Sequence, residues 1–149
     1  MNLRQARTGE LSDLSALCMR SKALWGYDAD FMAACRTELT LGPDDLRSSL
    51  VQIAEDAGAT VGMVQLVVRS AGAELAKLFV EPCHIRRGVG RVLFDWAAAA
   101  ARVAGATSLS IESDPAAADF YRRMGAVDAG TAPSTAIPGR ALPRLMLTL

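Results

Sequence analysis

The chain has 149 residues, 51% of them hydrophobic and 21% charged, a composition that supports one packed core and argues against disorder. Sixteen basic residues balance sixteen acidic ones, so no net field draws the molecule to nucleic acid or to an anionic membrane. Cys18, Cys35 and Cys83 are widely spaced without a Cys-x-x-Cys pair, which argues against a disulfide framework and a zinc site; no metal is expected.

In chain order, residues 2–7 read as a first strand, and Thr8 is the expected cap of a helix carrying Leu11, Leu14, Leu17 and Cys18 at helical spacing to about Ala23. Asp28 is placed to cap a second helix through Phe31, Met32, Cys35 and Leu39. Gly42-Pro43 breaks the chain, and Asp44-Asp45 begin a short helical turn. Three strands follow, at 51–54, 60–69 and 74–80, separated by turns at Ala57-Gly58 and at 70–72, so an antiparallel meander is expected. A helix after Gly88 puts Val92, Leu93, Trp96, Ala100 and Val103 on one face and ends at Gly105. Residues 107–112 form another strand. Pro115 opens a helix to Met124, closed by Gly125, and strands near Val127 and over 144–149 end the chain. The order β-α-α-β-β-β-α-β-α-β-β describes a mixed α/β sheet protein of about seven strands and four helices, read as a single domain over residues 1–149.

The most informative segment runs from Leu78, Phe79 and Val80 through Glu81-Pro82-Cys83-His84-Ile85 to Arg86, Arg87, Gly88, Val89, Gly90 and Arg91. A strand feeding a helix through Gly-x-Gly turns several backbone N–H groups toward one point, where the helix N-terminus adds positive potential. Such a point suits a phosphate or pyrophosphate. A P-loop would need Lys-Ser or Lys-Thr after the second glycine, and none follows. A dinucleotide loop would need a third small residue where Leu93 stands.

The loop resembles the acetyl-CoA loop of GNAT N-acetyltransferases, Gln/Arg-x-x-Gly-x-Gly/Ala between a strand and a helix. Gly88 and Gly90 match it, Arg86 and Arg87 fill its basic variable positions, and Ile85 replaces the Gln or Arg. A second GNAT pattern, Asn-x-x-Ala-x-x-apolar-Tyr-x-x-x-Gly-Phe, is matched by Ala117, Phe120, Tyr121 and Gly125, with Asp114 for the Asn and Ala126 for the Phe. The element order is also that of the GNAT fold, with a central, mostly antiparallel twisted sheet.

The resemblance implies that the strand ending at Val80 splays from its neighbour near Thr107. Pantetheine would then lie along the main chain of Leu78, Phe79 and Val80, with pyrophosphate on the amides of Arg86, Arg87, Gly88, Val89, Gly90 and Arg91. Asp114 would stand beside the cofactor, where its charge is a cost. Tyr121 is the implied acid for the departing thiolate, since a phenol has a pKa of about 10. Glu81, at the strand end, is the first candidate for the base, ahead of Glu112 and His84, and a water relay needs none of them. Trp25 and Tyr27, with Lys22, are candidates for the acceptor pocket, and Arg140 for a substrate carboxylate.

The expected activity is acetyl transfer from acetyl-CoA, as cosubstrate, to a primary amine of a small molecule by direct attack in a ternary complex. The alternatives are an acyl-CoA-binding or sensing module without catalysis, and a regulator built on the Cys83 thiol. No nucleic-acid or membrane partner is expected, and the apolar C-terminal strand offers an edge for a homodimer. The N-terminus lacks a signal-peptide profile and no apolar run reaches about eighteen residues, so a cytoplasmic location is expected.

Overall fold

A computed structural model describes residues 1–149. Strand β1 (Asn2–Gln5) leads through a 3-10 turn at Thr8–Glu10 into α1 (Leu11–Ala23), followed by α2 (Ala29–Leu39) and the six-residue α3 (Pro43–Ser48). Asp28 caps α2 as expected, its carboxylate accepting from the Phe31 amide. Thr8 does not cap α1: it begins the 3-10 turn, and Glu10 precedes the helix. The meander is β2 (Leu50–Asp56), β3 (Ala59–Val68) and β4 (Ala73–Val80), after which come α4 (Val89–Val103), β5 (Ser108–Glu112), α5 (Ala118–Arg123), β6 (Val127–Pro133) and β7 (Ala141–Thr148).

The strands form one seven-stranded sheet in the order β1-β2-β3-β4-β5-β7-β6, antiparallel except where β4 meets β5. Mixed α/β architecture follows the expectation from the element order. The C-terminal strand, however, is no edge: β7 pairs with β5 on one side and β6 on the other, so the free edges belong to β1 and β6. The edge proposed for a homodimer is therefore buried in the sheet.

Two cores cover the two faces. Leu14, Leu17 and Cys18 of α1 and Cys35 and Leu39 of α2 pack with Val51, Ile53 and Met63 on one side. Leu93, Phe94, Ala97 and Ala101 of α4, with Tyr121 of α5, pack on the other. The face of α4 is the expected one in part: Leu93 is buried and Trp96 and Ala100 pack against the core, but Val103 is 90% exposed, and Ala97 and Ala101 lie fully buried beside Leu93 and Phe94. The reason is close approach: a Cβ on Gly62 of β3 would lie 2.8 Å from Val89 Cγ1 and 2.9 Å from Leu93 Cδ1. A helix seated that low on a sheet needs small side chains inward.

The β4–β5 pairing sets up the site. Only Ala73↔Leu109 and Glu74↔Ser110 pair across the two parallel strands. The register of β4 against β3 slips between Gln65 and Leu66, so that Lys77 and Leu75 face consecutive residues and Ala76 is bulged out. Past Glu74, therefore, β4 has no partner on its β5 side, and the sheet is split as the resemblance implied. No helix is long and apolar enough to cross a membrane.

Candidate active site

The loop after β4 makes a 3-10 turn at Pro82–His84 and enters α4 through Arg86 and Gly88, both with positive φ, 62° and 84°. Gly88 is the N-cap of α4 in a left-handed conformation that costs glycine little, and Arg86 bears the strain of the same region with a side chain. The amides of Arg86, Arg87, Gly88, Val89, Gly90 and Arg91 donate to no other protein group; the helix ladder starts with Val92 N to Gly88 O at 3.1 Å. These free donors lie at and just before the N-terminus of α4, the positive end of its dipole. Gly90 has its own reason: a Cβ there would sit 3.3 Å from the Phe120 ring of the next helix.

A cavity of about 470 Å³ opens beside this loop, lined by Val80, Arg86, Gly88, Gly90, Arg91 and Phe120. It suits a phosphorylated, partly apolar arm. Arg87 and Val89 do not line it with their side chains, and Val89 is buried under Gly62. A second cavity of about 280 Å³ lies beyond, bounded by α1, α2, the split between β4 and β5, and the loop between β6 and β7. Leu78, Ala117, Tyr121 and Trp25 line both cavities, whereas Phe79 lines only the second and Val80 only the first.

Tyr121 is thus the aromatic residue at the junction that is also buried, 6% exposed, and its ring is held edge-on by Phe120 at 5.1 Å and tilted against Phe94 at 5.9 Å. Burial first, and the charge of Asp114 second, push the phenol well above its ordinary range. Tyr121 therefore carries its proton at every physiological pH.

Asp114 lines the second cavity and not the arginine-walled one. Oδ1 accepts from the Ala116 amide at 2.9 Å, and Oδ2 accepts from Tyr27 Oη at 2.8 Å and Lys22 Nζ at 3.1 Å. Arg140 Nη2 lies 3.7 Å from Oδ2 and donates to Tyr27 Oη at 2.7 Å. Burial alone would raise this carboxyl, but the Ala116 amide, the Tyr27 hydroxyl and Lys22 outweigh it and hold its pKa below the usual range. The Asp114 charge is thus paired within the protein.

Of the acceptor candidates, Trp25 lines both cavities and Arg140 lines the second. Tyr27 stands behind the wall: it stacks on Phe31 with ring centroids 3.9 Å apart and spends its hydroxyl on Asp114 and Arg140. Glu81 is not placed to take a proton. Both its oxygens accept from Arg20 at 2.8 Å, and that bond to the guanidinium holds the carboxyl below its ordinary range. Glu81 lines neither cavity and ties α1 to the end of β4. Sequence reasoning missed Glu38, which lines the second cavity together with the core residue Cys35; their spacing on α2 was the available signal.

Known structures share this architecture. A GCN5-related N-acetyltransferase from Rhodopseudomonas palustris is 22% identical, with 99% of this chain and 95% of that chain covered at a TM-score of 0.83. The PaiA N-acetyltransferase from Thermoplasma acidophilum, solved in complex with coenzyme A, is 15% identical over 99% and 98% of the two chains, TM-score 0.79. A ribosomal-protein-alanine N-acetyltransferase from Brucella melitensis is 22% identical over 100% of both chains, TM-score 0.72. At these identities the likeness establishes the fold. No curated protein sequence matches the chain. Residues 47–125, which hold the split, the loop and Tyr121, match the family model of the acetyltransferase (GNAT) domain. The chain belongs to the GNAT acetyltransferase family.

Proposed function

We propose that the protein is an acetyl-CoA-dependent N-acetyltransferase acting on a primary amine of a small molecule, with residues 1–149 working as one domain. The observation that carries this reading is Tyr121 at the junction of two cavities, one walled by arginines and free amides, the other open to an acceptor. The fit to acetyl-CoA rests on chemistry the chain presents. The unbonded amides from Arg86 to Arg91 and the Arg86 and Arg91 side chains would hold the phosphates, and the unpaired edge of β4 past Glu74 would hold the amide-bearing arm. The coenzyme-A complex of the Thermoplasma PaiA relative supports the assignment.

Acetyl-CoA supplies an activated acetyl group: the C–S bond breaks as the N–C bond forms, an ammonium acceptor releases one net proton, and the thiol leaves protonated. The chain's own residues position and exchange the protons. Tyr121 holds its proton beside the junction and is the donor to the departing sulfur. The acceptor's proton leaves through the mouth of the second cavity, whose wall carries Glu112. Apolar Leu78, Phe79 and Ile111 exclude water around the reacting pair.

Calorimetry with acetyl-CoA, together with thiol release against amino acids, polyamines and aminoglycosides, tests the reading. Binding with amine-dependent release of CoA is the expected result. Binding without release for any amine favours the sensing module, and no binding overturns the cofactor assignment.

A further inference from the structure

We propose that the second cavity recognises a zwitterion, a small primary amine that also carries a carboxylate. The inference rests on the N-acetyltransferase reading and names the acceptor class for the same site.

Lys22 and Arg140 line the cavity from α1 and from the loop between β6 and β7. Their side chains are only 14% and 19% exposed, and the one carboxylate they share, Asp114, is 11% exposed. A cation taken out of water is costly unless charge and hydrogen bonds replace its hydration. Two such cations lean on one carboxylate here, so the cluster keeps a surplus positive charge. Asp114 has little left to give, since it already accepts from Lys22, Tyr27 and the Ala116 amide.

Arg140 is differently placed. Within the protein it spends only Nη2, on Tyr27 Oη, and its guanidinium is held over the stacked rings of Phe31 and Tyr27 at 4.8 and 5.2 Å. Lys22 Nζ sits over the same two rings at 5.9 and 5.5 Å. Nε and Nη1 of Arg140 are left to donate. A guanidinium fixed in this way suits a carboxylate, which it can take with two parallel bonds.

The wall carries the other sign as well. Glu74 is paired with Arg69 at 3.0 Å, but Glu38 and Glu112 form no ion pair in the protein and remain for an ammonium group. A polyamine or aminoglycoside could meet Glu38 and Glu112, but would set its further positive charges beside Lys22 and Arg140, which share only Asp114. A plain alkylamine would leave Arg140 without its anion. A zwitterion meets both signs.

The test compares amino acids, including β-alanine and 4-aminobutyrate, each with its own amide, by CoA release at saturating acetyl-CoA. Each pair presents the same amine and differs in the carboxylate charge. An amide's amine is the less basic, so free-amine concentration biases the comparison against the proposal. At least one acid is expected to exceed its amide by about tenfold or more in kcat/KM. Lys22→Met and Arg140→Met are expected to bring that ratio toward one. Calorimetry of the acid against CoA-saturated protein should show weakened binding in both variants, with acetyl-CoA affinity retained. The acid–amide comparison uses the unaltered protein, so a misfolded variant does not shield the proposal. Amides or polyamines turned over as well as the acids overturn it, as do idle acids on a protein that binds acetyl-CoA. A protein that binds no acetyl-CoA instead sinks the acetyltransferase reading and takes this inference with it.

Discussion

Tyr121 keeps its proton because a phenolate in its apolar setting would lose hydration and face the Asp114 charge. The same burial disfavours a naked thiolate beside it, so the two anions are matched and transfer between them remains feasible. Tyr121→Phe is expected to lower kcat by roughly 100- to 10,000-fold, with acetyl-CoA affinity held within a few-fold by calorimetry. Unchanged turnover would remove the acid role. Because its pKa lies above the ordinary tyrosine value, no alkaline limb from Tyr121 should enter the rate profile below that value. Asp114 gives the opposite linkage. Its folded pKa is depressed, so its stabilisation is present above the ordinary value of 3.8 and is lost as pH falls through the lower folded value. Asp114→Asn keeps an acceptor for the Ala116 amide but cannot neutralise Lys22 and Arg140. By releasing the Lys22 and Tyr27 side chains that Asp114 holds in place, the substitution should raise the KM for the acceptor, leave acetyl-CoA binding unchanged and flatten the loss of stability in that acidic window, as followed by urea unfolding against pH. A weakened acetyl-CoA affinity would return Asp114 to the cofactor side.

At the scale of elements, the helix that presents the free amides is set by a residue on a strand. Gly62 lets α4 sit low on the sheet, with Val89 and Leu93 where its own side chain would be. Gly62→Ala would push against Val89 Cγ1, Leu93 Cδ1 and the Phe79 carbonyl, the last of which is backbone at 3.1 Å and cannot turn aside. A loss of about 1–3 kcal/mol in denaturant unfolding is expected, with weaker acetyl-CoA binding because Val89 opens the helix. Stability equal to that of the parent would mean the helix can rise without cost. The element order was legible because turn residues and periodicity punctuate it: Asp28 before α2, Gly88 before α4, the turns around β3. The inward face of α4 was legible only in part: Leu93, Trp96 and Ala100 do pack inward, but how low the helix sits, and so which small residues join them, depends on Gly62, in a distant strand. The edge status of β7 was likewise hidden, since strand order is a matter of pairing and not of composition.

Across the whole molecule, the two halves of the site differed in legibility for one physical reason. The half proposed to hold phosphate is local: Val80, Gly88, Gly90 and Arg91 lie close in sequence and carry their geometry in the chain. The half proposed for the acceptor is assembled by contacts spanning 92 residues from Lys22 to Asp114 and 113 from Tyr27 to Arg140, and no spacing rule reports them. The assembled site also decides the order of events. Tyr121 lines both cavities, so under the proposed function donor and acceptor can be in contact without a relay through the protein. No thiolate stands between them. Cys35 lines the acceptor cavity, but burial raises its pKa, and Cys83 is exposed outside both cavities beside His84. Reaction through a covalent acetyl-enzyme would need such a group at the junction. Initial rates at varied acetyl-CoA and amine should therefore give intersecting double-reciprocal lines, and mass spectrometry after mixing with acetyl-CoA alone should find no added acetyl group. Parallel lines with an acetylated Cys35 would replace direct attack by a two-step transfer through that thiol.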